Sequence, residues 1–285
     1  MSIAIVDHFR PVVAGHSAVL FDLWGVIHNG VAPFPGALRT LASLYEAGIP
    51  AILLSNAPRR GIDVDVRLAE MGIPRDHYLR VVASGDLVRH ALDVPEPPFG
   101  RKFLFWGKPS DRSILAGLEF TEVTAAAEAD FVLCAGLEDA VRQTVGDYRA
   151  GLEAALAHRL PLVCANPDYQ VMHGDTLEPC AGALALEYER MGGTAHWYGK
   201  PFASAYDFCR GVLGETVFRG AIMVGDTIRT DIVGARDAGI ASVLIASGIH
   251  AAEAIVDGRL DPGRIRAACA DAGVAPKAIL QHLDW

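Results

Sequence analysis

The short apolar run Ala-Val-Leu-Phe at residues 18–21 is followed at once by Asp22 and then by Leu-Trp-Gly-Val at residues 23–26. An uninterrupted apolar run of this length predicts a strand that is buried on both faces, as in a parallel sheet. Asp22 ends this strand, so a charged side chain stands at the strand's carboxyl end. Ligands bind at such ends in open α/β sheets, which makes Asp22 the first candidate functional residue.

Strand-like runs and helical patterns alternate along much of the chain. Pro35 opens a helical pattern, and the next strand-like run, residues 51–54, ends at Ser55. Further strands are predicted at 78–83, 221–224 and 242–245, and further helices at 60–71, 203–213 and 232–238. This alternation predicts an α/β protein with a Rossmann-like, doubly wound parallel sheet. Ser55, like Asp22, then lies at the carboxyl end of a strand.

A turn-rich segment, Pro-Glu-Pro-Pro-Phe-Gly at residues 95–100, interrupts the alternation. After it come separate strand candidates at 103–106, 131–134 and 162–165, and helical patterns at 148–157 and 183–190. Gly192-Gly193 is interpreted as the return to the first domain. We therefore predict a discontinuous core, residues 1–89 and 193–285, with an inserted α/β cap domain at residues 90–192. The tail from Ala251 onward is predicted to be helical and to pack on the core.

The composition indicates a folded protein with an acidic surface. Of the 285 residues 51% are hydrophobic, and the formal net charge is -9. An acidic surface repels phosphate backbones and anionic lipids, which disfavours nucleic acid and membrane partners. No apolar stretch reaches the ~20 residues that span a bilayer, no signal-peptide core is present, and the five cysteines form no C-x-x-C pair. These features predict a cytoplasmic protein, and they are compatible with a homo-oligomer.

Four segments place charged or hydroxyl groups directly after apolar runs or in glycine turns: FDLWGV (21–26), LLSNAPR (53–59), GKP (199–201) and VGDTIRTD (224–231). If Asp22, Asp226 and Asp231 converge, their repulsion has to be offset by a cation, and oxygen ligands suit Mg²⁺. Lys200 adds a positive charge, and Ser55 adds a hydroxyl donor. A nucleophile, a metal and donors aimed at phosphoryl oxygens are what phosphoryl transfer requires.

Each segment alone also has an ordinary structural interpretation. Asp22 and Asp226 can cap the turns after strands, and Lys200 can be a solvated side chain. Coincidence of all four segments, in order and each beside a strand or turn, is disfavoured. Other site motifs are not supported, because the ten histidines show no H-E-x-x-H spacing and no dinucleotide or Walker-type phosphate loop is present.

Taken in order, FD-x-x-G-V, L-L-S-N, G-K-P and V-G-D-x-x-x-x-D resemble the four motifs of the haloacid dehalogenase superfamily. The insertion between the second and third motifs, with Asn166-Pro167-Asp168 and Gly182, is similar to the cap of the class IIA branch. That branch includes phosphatases of sugar phosphates, nucleotides and p-nitrophenyl phosphate. The resemblance implies a phosphoric monoester hydrolase that uses Mg²⁺ and acts on a small phosphorylated metabolite.

The resemblance also implies roles for individual residues. Asp22 would be the nucleophile that forms an aspartyl-phosphate, Ser55 would hydrogen-bond the phosphoryl group, and Lys200 would hold nucleophile and phosphate together. The metal ligands would be Asp22, the backbone carbonyl of Trp24, Asp226 and Asp231, and the substrate-binding residues would be Asn56, Asn166 and Asp168.

The chain departs from the family pattern at Trp24. Phosphatases of the family have a second Asp there, which protonates the leaving group and later activates water, and an indole cannot take this role. Because general acid–base catalysis contributes about 10²–10⁴-fold, we predict weak phosphatase activity that is better on aryl or acyl phosphates. Two alternatives stay open: a protein that binds Mg²⁺ and a phosphorylated metabolite without turnover, and a metal-independent dehalogenase. His28 is interpreted as an exposed flap residue or as a side chain that reaches the site.

Overall fold

The computed structural model describes residues 3–173, 176–249, 254–256 and 259–285. Within these ranges, seven parallel strands form the main sheet. In spatial order they are Ala4–Ile5, Ala278–Leu280, Ala241–Ile245, Ala221–Gly225, Ala18–Phe21, Ala51–Ser55 and Arg80–Ala83. The strand that precedes Asp22 therefore lies between Ala221–Gly225 and Ala51–Ser55, and the three carboxyl ends meet at one edge of the sheet.

The central strands are apolar throughout because both of their faces are covered. In the strand before Asp22, Val19 and Phe21 pack into one hydrophobic cluster, whereas Leu20 packs into another. The neighbouring strand repeats this division, with Leu53 in the first cluster and Ile52 in the second. Successive residues of a strand point to opposite faces, so an uninterrupted apolar run fits a strand with helices on both sides. The predicted α/β fold class is confirmed.

Helices cover both faces of the main sheet. In the described part of the chain, the α-helices outside the inserted segment are Arg10–Val13, Pro35–Glu46, Gly61–Glu70, Ser84–Leu92, Ala203–Leu213, Glu215–Arg219, Val233–Asp237 and Pro262–Asp271. Pro35 stands in the first turn of its helix, where its missing N–H leaves no intrahelical bond unmade, and Leu41 and Leu44 of that helix are buried. Shorter turns of helix lie at Arg75–His77, Pro109–Leu115, Ala126–Glu128, Val145–Tyr148 and, in π form, Ile228–Ile232.

The inserted segment builds a second parallel sheet. Its five strands, in spatial order, are Ala195–Trp197, Leu162–Cys164, Phe131–Cys134, Lys102–Trp106 and Thr121–Glu122. The helices Arg149–Ala157 and Ala181–Arg190 belong to this segment, as does an antiparallel pair of strands, Gln170–His173 and Thr176–Pro179. We call this sheet with its helices the cap.

The cap sheet extends past the predicted boundary between residues 192 and 193. Ala195–Trp197 pairs in parallel with Leu162–Cys164, although the sequence-based division assigned it to the core. Gly192 and Gly193 instead close the preceding helix, because their backbone amides donate to the carbonyls of Glu189 and Tyr188. The glycine pair is thus the end of a helix, and the chain returns to the core only after the next strand.

The tail is less helical than the sequence predicts. Part of it, Ala251–Glu253 with Asp257 and Gly258, lies outside the described residues. Among the described residues of the tail, Ile255–Val256 pairs with Arg259–Leu260, and Ala278–Leu280 joins the main sheet. The last of these strands is a short apolar run that is buried on both faces, a pattern that also fits a helix when only the sequence is read. None of the helices described above is long and apolar enough to cross a membrane.

Candidate active site

Side chains from neighbouring strands meet at the carboxyl edge of the main sheet. Val224 pairs with Phe21, and Phe21 pairs with Leu53, so Asp22 lies between the ends of the two adjacent strands. The backbone amide of Asp22 donates to the carbonyl of Val224 at 2.9 Å and continues the ladder up to the site. This register fixes where each strand-end side chain projects.

Three aspartates form a buried cluster at this edge. Asp22, Asp226 and Asp231 each place one carboxylate oxygen within 4.8 Å of the other two. Asp226 accepts hydrogen bonds from the backbone amide of Ile249 at 2.9 Å and from the hydroxyl of Thr227 at 3.0 Å. The amide of Thr227 donates to Oδ2 of Asp231 at 3.0 Å. Backbone and side-chain donors therefore orient these carboxylates before any ligand binds.

Lys200 brings a single buried cation to the cluster. Its Nζ lies 2.5 Å from Oδ1 of Asp22 and 2.7 Å from Oδ1 of Asp231. Burial alone would lower the pKa of Lys200, but the two carboxylates outweigh it and raise that pKa above its usual value. Burial also raises the pKa of Asp22, and Lys200 opposes this shift. One buried ammonium group therefore lies beside the three aspartate side chains of the cluster.

The donor set of the cluster fits a hard divalent cation. All three side chains offer oxygen, the type of ligand that Mg²⁺ prefers. Oδ1 of Asp231 is buried, and no donor in the described part of the chain makes a directed hydrogen bond to it, so its contact with Lys200 is ionic and leaves a lone pair available. Two glycines approach Asp226 so closely that a Cβ at either position, Gly25 or Gly248, would overlap its carboxylate. Asp22, Asp226 and Asp231 are therefore the residues that could hold a metal ion.

Ser55 and Asn56 follow the adjacent strand but differ in what they leave available. The Ser55 hydroxyl oxygen accepts from the Ala57 amide at 3.1 Å, which leaves its own proton to donate. The Asn56 amide is occupied by protein: its Oδ1 accepts from the Lys200 amide at 2.7 Å, and its Nδ2 donates to the Lys200 carbonyl at 3.1 Å and to Oδ1 of Asp168 at 3.0 Å. Asn56 lines the cavity, but its hydrogen bonds indicate that this side chain positions Lys200.

The other predicted substrate residues lie in the cap, on the loop 166–169, which we call the cap loop. Asn166 and Asp168 both line the cavity beside Asp22, whose volume is about 680 Å³. Oδ1 of Asn166 accepts from the backbone amide of Asp168 at 3.0 Å. Burial raises the pKa of Asp168, while Lys200 and its hydrogen bond from Asn56 act in the opposite direction. The structure thus brings the cap loop to the same cavity as the aspartate cluster.

Trp24 and His28 form an aromatic pair next to Asp22. Their rings meet edge to face, with centroids 5.2 Å apart, and Trp24 also packs against the core. His28 is buried, not exposed, and its Nδ1 accepts from the backbone amide of Gly30 at 3.0 Å. Burial, with a smaller effect of Arg67, lowers the pKa of His28 to about 4. His28 is therefore neutral near pH 7, with its proton on Nε2.

Two arginines at this site were not predicted from the sequence. Arg59 forms an ion pair with the buried Asp111 of the cap at 2.9 Å. Arg229 donates to the Pro167 carbonyl of the cap loop at 2.8 Å. Both lie inside segments quoted above, Arg59 at the end of LLSNAPR (53–59) and Arg229 within VGDTIRTD (224–231), yet no local pattern gives them a role, because their partners come from a distant segment of the sequence.

The chain is similar in sequence to known hydrolases. A family model described as haloacid dehalogenase-like hydrolase matches residues 19–121, and a second, described as HAD-hydrolase-like, matches residues 197–280. Ribonucleotide monophosphatase NagD of Escherichia coli is 27% identical over 83% of this chain and 90% of its own. Human chronophin is 28% identical, over 86% of each chain.

A solved structure extends the similarity to almost the full length. It is a hydrolase of the haloacid dehalogenase-like family from Brucella suis, 33% identical, with a TM-score of 0.83. The match covers 98% of this chain and 100% of that one. These comparisons confirm the resemblance drawn from the four motifs, including its class IIA branch and the predicted class of phosphoric monoester hydrolases.

Proposed function

The chain belongs to the haloacid dehalogenase-like hydrolase family, and on this premise we propose that it is a Mg²⁺-dependent phosphatase of a small phosphorylated metabolite. In the proposed reaction the phosphoryl group is transferred first to Asp22. Water then attacks phosphorus, the bond from phosphorus to the Asp22 oxygen breaks and regenerates the carboxylate, and both protons of the water leave on the released phosphate. The observation that carries the proposal is the position of Lys200, whose ammonium contacts both Asp22 and Asp231 inside the buried cluster. The proposed nucleophile, the Lys200 ammonium and the proposed metal ligands are thereby held together at the carboxyl edge of the main sheet.

In the first step, a carboxylate oxygen of Asp22 attacks phosphorus, and the bond from phosphorus to the leaving oxygen breaks. Lys200 draws Asp22 and a bound phosphoryl group together, since its ammonium can donate to both. The hydroxyl of Ser55 has a proton free to donate to a phosphoryl oxygen. Positioning and charge stabilisation of this kind account for most of the catalysis of phosphoryl transfer.

A bound Mg²⁺ would neutralise charge on the phosphoryl oxygens. The ligands that we propose for it are the side chains of Asp22, Asp226 and Asp231 and the backbone carbonyl of Trp24. The burial of three aspartate side chains around one lysine supports a cation at this place, because burial disfavours unbalanced negative charge.

The leaving group has to depart without a proton from residue 24. The indole N–H of Trp24 does not titrate in the accessible range, and neutral His28 uses its one acceptor nitrogen to bind the Gly30 amide. A leaving group that is stable as an anion does not need this proton. We therefore propose a preference for aryl or acyl phosphates over alkyl phosphates.

The test is phosphate release from p-nitrophenyl phosphate, acetyl phosphate and a set of sugar phosphates, with Mg²⁺ and with EDTA. Asp22→Asn is the matched control, because it removes the nucleophile and keeps the shape of the side chain. We expect Mg²⁺-dependent release that is lost in Asp22→Asn, with thermal unfolding showing that this variant is folded. Full activity of a folded Asp22→Asn would refute the mechanism.

A different function would give a different pattern in the same assays. Binding of phosphate and Mg²⁺ without turnover of any substrate would identify a binding protein. Trp24 favours this alternative, because it cannot act as the acid–base group. Halide release from a haloacid that survives EDTA would identify a dehalogenase. The buried aspartate cluster argues against this last outcome, because that chemistry has no use for a metal site.

A further inference from the structure

The cap loop is tied to the core by side chains from two different strand ends. Asn56, directly after Ala51–Ser55, donates to Oδ1 of Asp168 at 3.0 Å. Arg229, shortly after Ala221–Gly225, donates to the Pro167 carbonyl at 2.8 Å. These two strands flank the strand that ends at Asp22. The cap loop is therefore fastened on both sides of the nucleophile strand.

Arg229 makes three separate contacts with the cap loop. Besides its bond to the Pro167 carbonyl, its Nη2 lies 3.7 Å from Oδ1 of Asp168. Its guanidinium carbon lies 3.9 Å from the centre of the Tyr169 ring, a cation–π contact. The planar guanidinium meets a carbonyl, a carboxylate and an aromatic face at once, a combination that lysine cannot reproduce.

Close packing under the loop makes its position sensitive to this contact. A Cβ at Gly182 would overlap the carbonyls of Pro167 and Asp168, and the Gly182 amide donates to the Asp168 carbonyl at 3.1 Å. The amide of Cys180 donates to the Tyr169 carbonyl at 3.0 Å. The cap loop is thus held on one side by Cys180 and Gly182 of the cap and on the other side by Arg229 of the core.

We propose that Arg229 is a positioning residue that holds the cap loop over Asp22 and so sets the place of Asn166 and Asp168 in the cavity. The consequence for substrate affinity rests on the proposed function, whereas the restraint on the loop does not. The rest of the cap has its own connection to the core, because Asp111 pairs with Arg59 at 2.9 Å and Ser113 donates to Asp63 at 2.7 Å. Loss of Arg229 therefore loosens the loop and leaves the cap attached.

The test compares Arg229→Met, Arg229→Lys and the control Arg236→Met in the full-length protein. Arg236 is a fair control, since it also bonds backbone carbonyls, of Ala272 and Gly273, and an aspartate, but it lies away from the cap. The first measurement is amide hydrogen exchange at Asp168, Cys180 and Gly182, whose acceptors all lie in the cap loop. It needs neither substrate nor metal.

We expect Arg229→Met to speed exchange at these three amides about tenfold, which corresponds to the loss of one charge-assisted hydrogen bond. Exchange in the strand Leu162–Cys164 should stay unchanged. Arg229→Lys should restore part of the protection, because it keeps one donor for the Pro167 carbonyl but not the planar stack on Tyr169. Arg236→Met should exchange like the unaltered protein at all of these positions.

The second measurement is steady-state phosphate release with p-nitrophenyl phosphate. Arg229→Met should raise KM about tenfold with kcat changed less than about twofold, because the loop positions the substrate and does not carry the reaction. Unchanged exchange at the three amides would overturn the proposal whatever the activity. Faster exchange without any turnover, even in the unaltered protein, would support the restraint on the loop and refute the proposed function instead.

Discussion

The ammonium of Lys200 lies between Asp22 and Asp231, 2.5 Å from an oxygen of the first and 2.7 Å from an oxygen of the second. Lys200 is itself held by Asn56, which bonds both the amide and the carbonyl of its backbone. The cation is therefore fixed at both its backbone and its side chain. A buried charge that has lost its partner is strongly destabilising, so this relationship has consequences for folding as well as for chemistry.

We expect Lys200→Met to lower the free energy of unfolding by about 3 kcal/mol at pH 8, because it leaves buried carboxylates without their cation. Urea denaturation of the metal-free protein measures this. Lys102→Met is the control, since its side chain is exposed, and its effect should lie within about 0.5 kcal/mol. Equal stability of the two variants would mean that the carboxylates are not charged in the folded protein.

Trp24→Asp should increase turnover of alkyl phosphates about 100-fold, because it supplies a carboxyl group that can protonate the leaving group. The gain should be smaller on acetyl phosphate, whose leaving group needs no proton. Trp24→Phe keeps an aromatic side chain without an acid and should give no gain. If Trp24→Phe and Trp24→Asp changed turnover equally, steric relief rather than acid catalysis would be the cause.

Mg²⁺ should stabilise the protein more at pH 8 than at pH 5. Burial, with Asp231, raises the pKa of Asp226 to about 7, above the value of about 3.9 for an unfolded Asp. A carboxyl group with a raised pKa contributes stability that is fully present below pH ~3.9 and is lost as pH rises through its folded value. The metal-free protein should therefore lose stability between about pH 4 and pH 7.

Bound Mg²⁺ offsets the charge that appears in this pH range. The measurement is Tm with Mg²⁺ and with EDTA at both pH values, which detects ligand binding to the folded state. Asp226→Asn should remove most of the pH-dependent difference. A shift in Tm of the same size at pH 5 and pH 8 would count against Asp226 as a titrating ligand.

Gly25→Ala should weaken Mg²⁺ binding, because its Cβ would displace the carboxylate of Asp226. Gly15→Ala is a matched control: Gly15 has φ +85 and Gly25 has φ +79, but among the described residues no atom outside the chain neighbours of Gly15 lies within 4 Å of a Cβ placed there. Both variants should lose about 1 kcal/mol of stability from the left-handed backbone. Only Gly25→Ala should bind Mg²⁺ more weakly, as measured by isothermal titration calorimetry. Equal Mg²⁺ affinities of the two variants would contradict the predicted displacement of the Asp226 carboxylate.

The apolar runs along the chain were enough to predict the α/β class and, within one or two residues, most central strands and helices. The reason is that every residue of a strand buried on both faces is apolar, and such a run can be recognised from consecutive residues alone. The local pattern did not reveal that Ala195–Trp197 joins the cap sheet, because Gly192-Gly193 ends a helix and a glycine pair looks alike at a helix end and at a domain border. The tail contains the helix Pro262–Asp271, as the prediction of a helical tail requires, but it ends in the strand Ala278–Leu280, because an apolar run this short fits either structure.

By itself, the sequence determined which strand ends carry Asp22, Ser55 and Asp226, because each directly follows an apolar run. Only the tertiary structure decided that Lys200 reaches between Asp22 and Asp231, that the Asn56 amide is occupied by Lys200 and Asp168, and that Arg229 contacts the cap loop. These pairs are far apart in sequence. Their contacts exist because strand order and the return of the cap bring separate segments to one edge of the sheet, which no local pattern records.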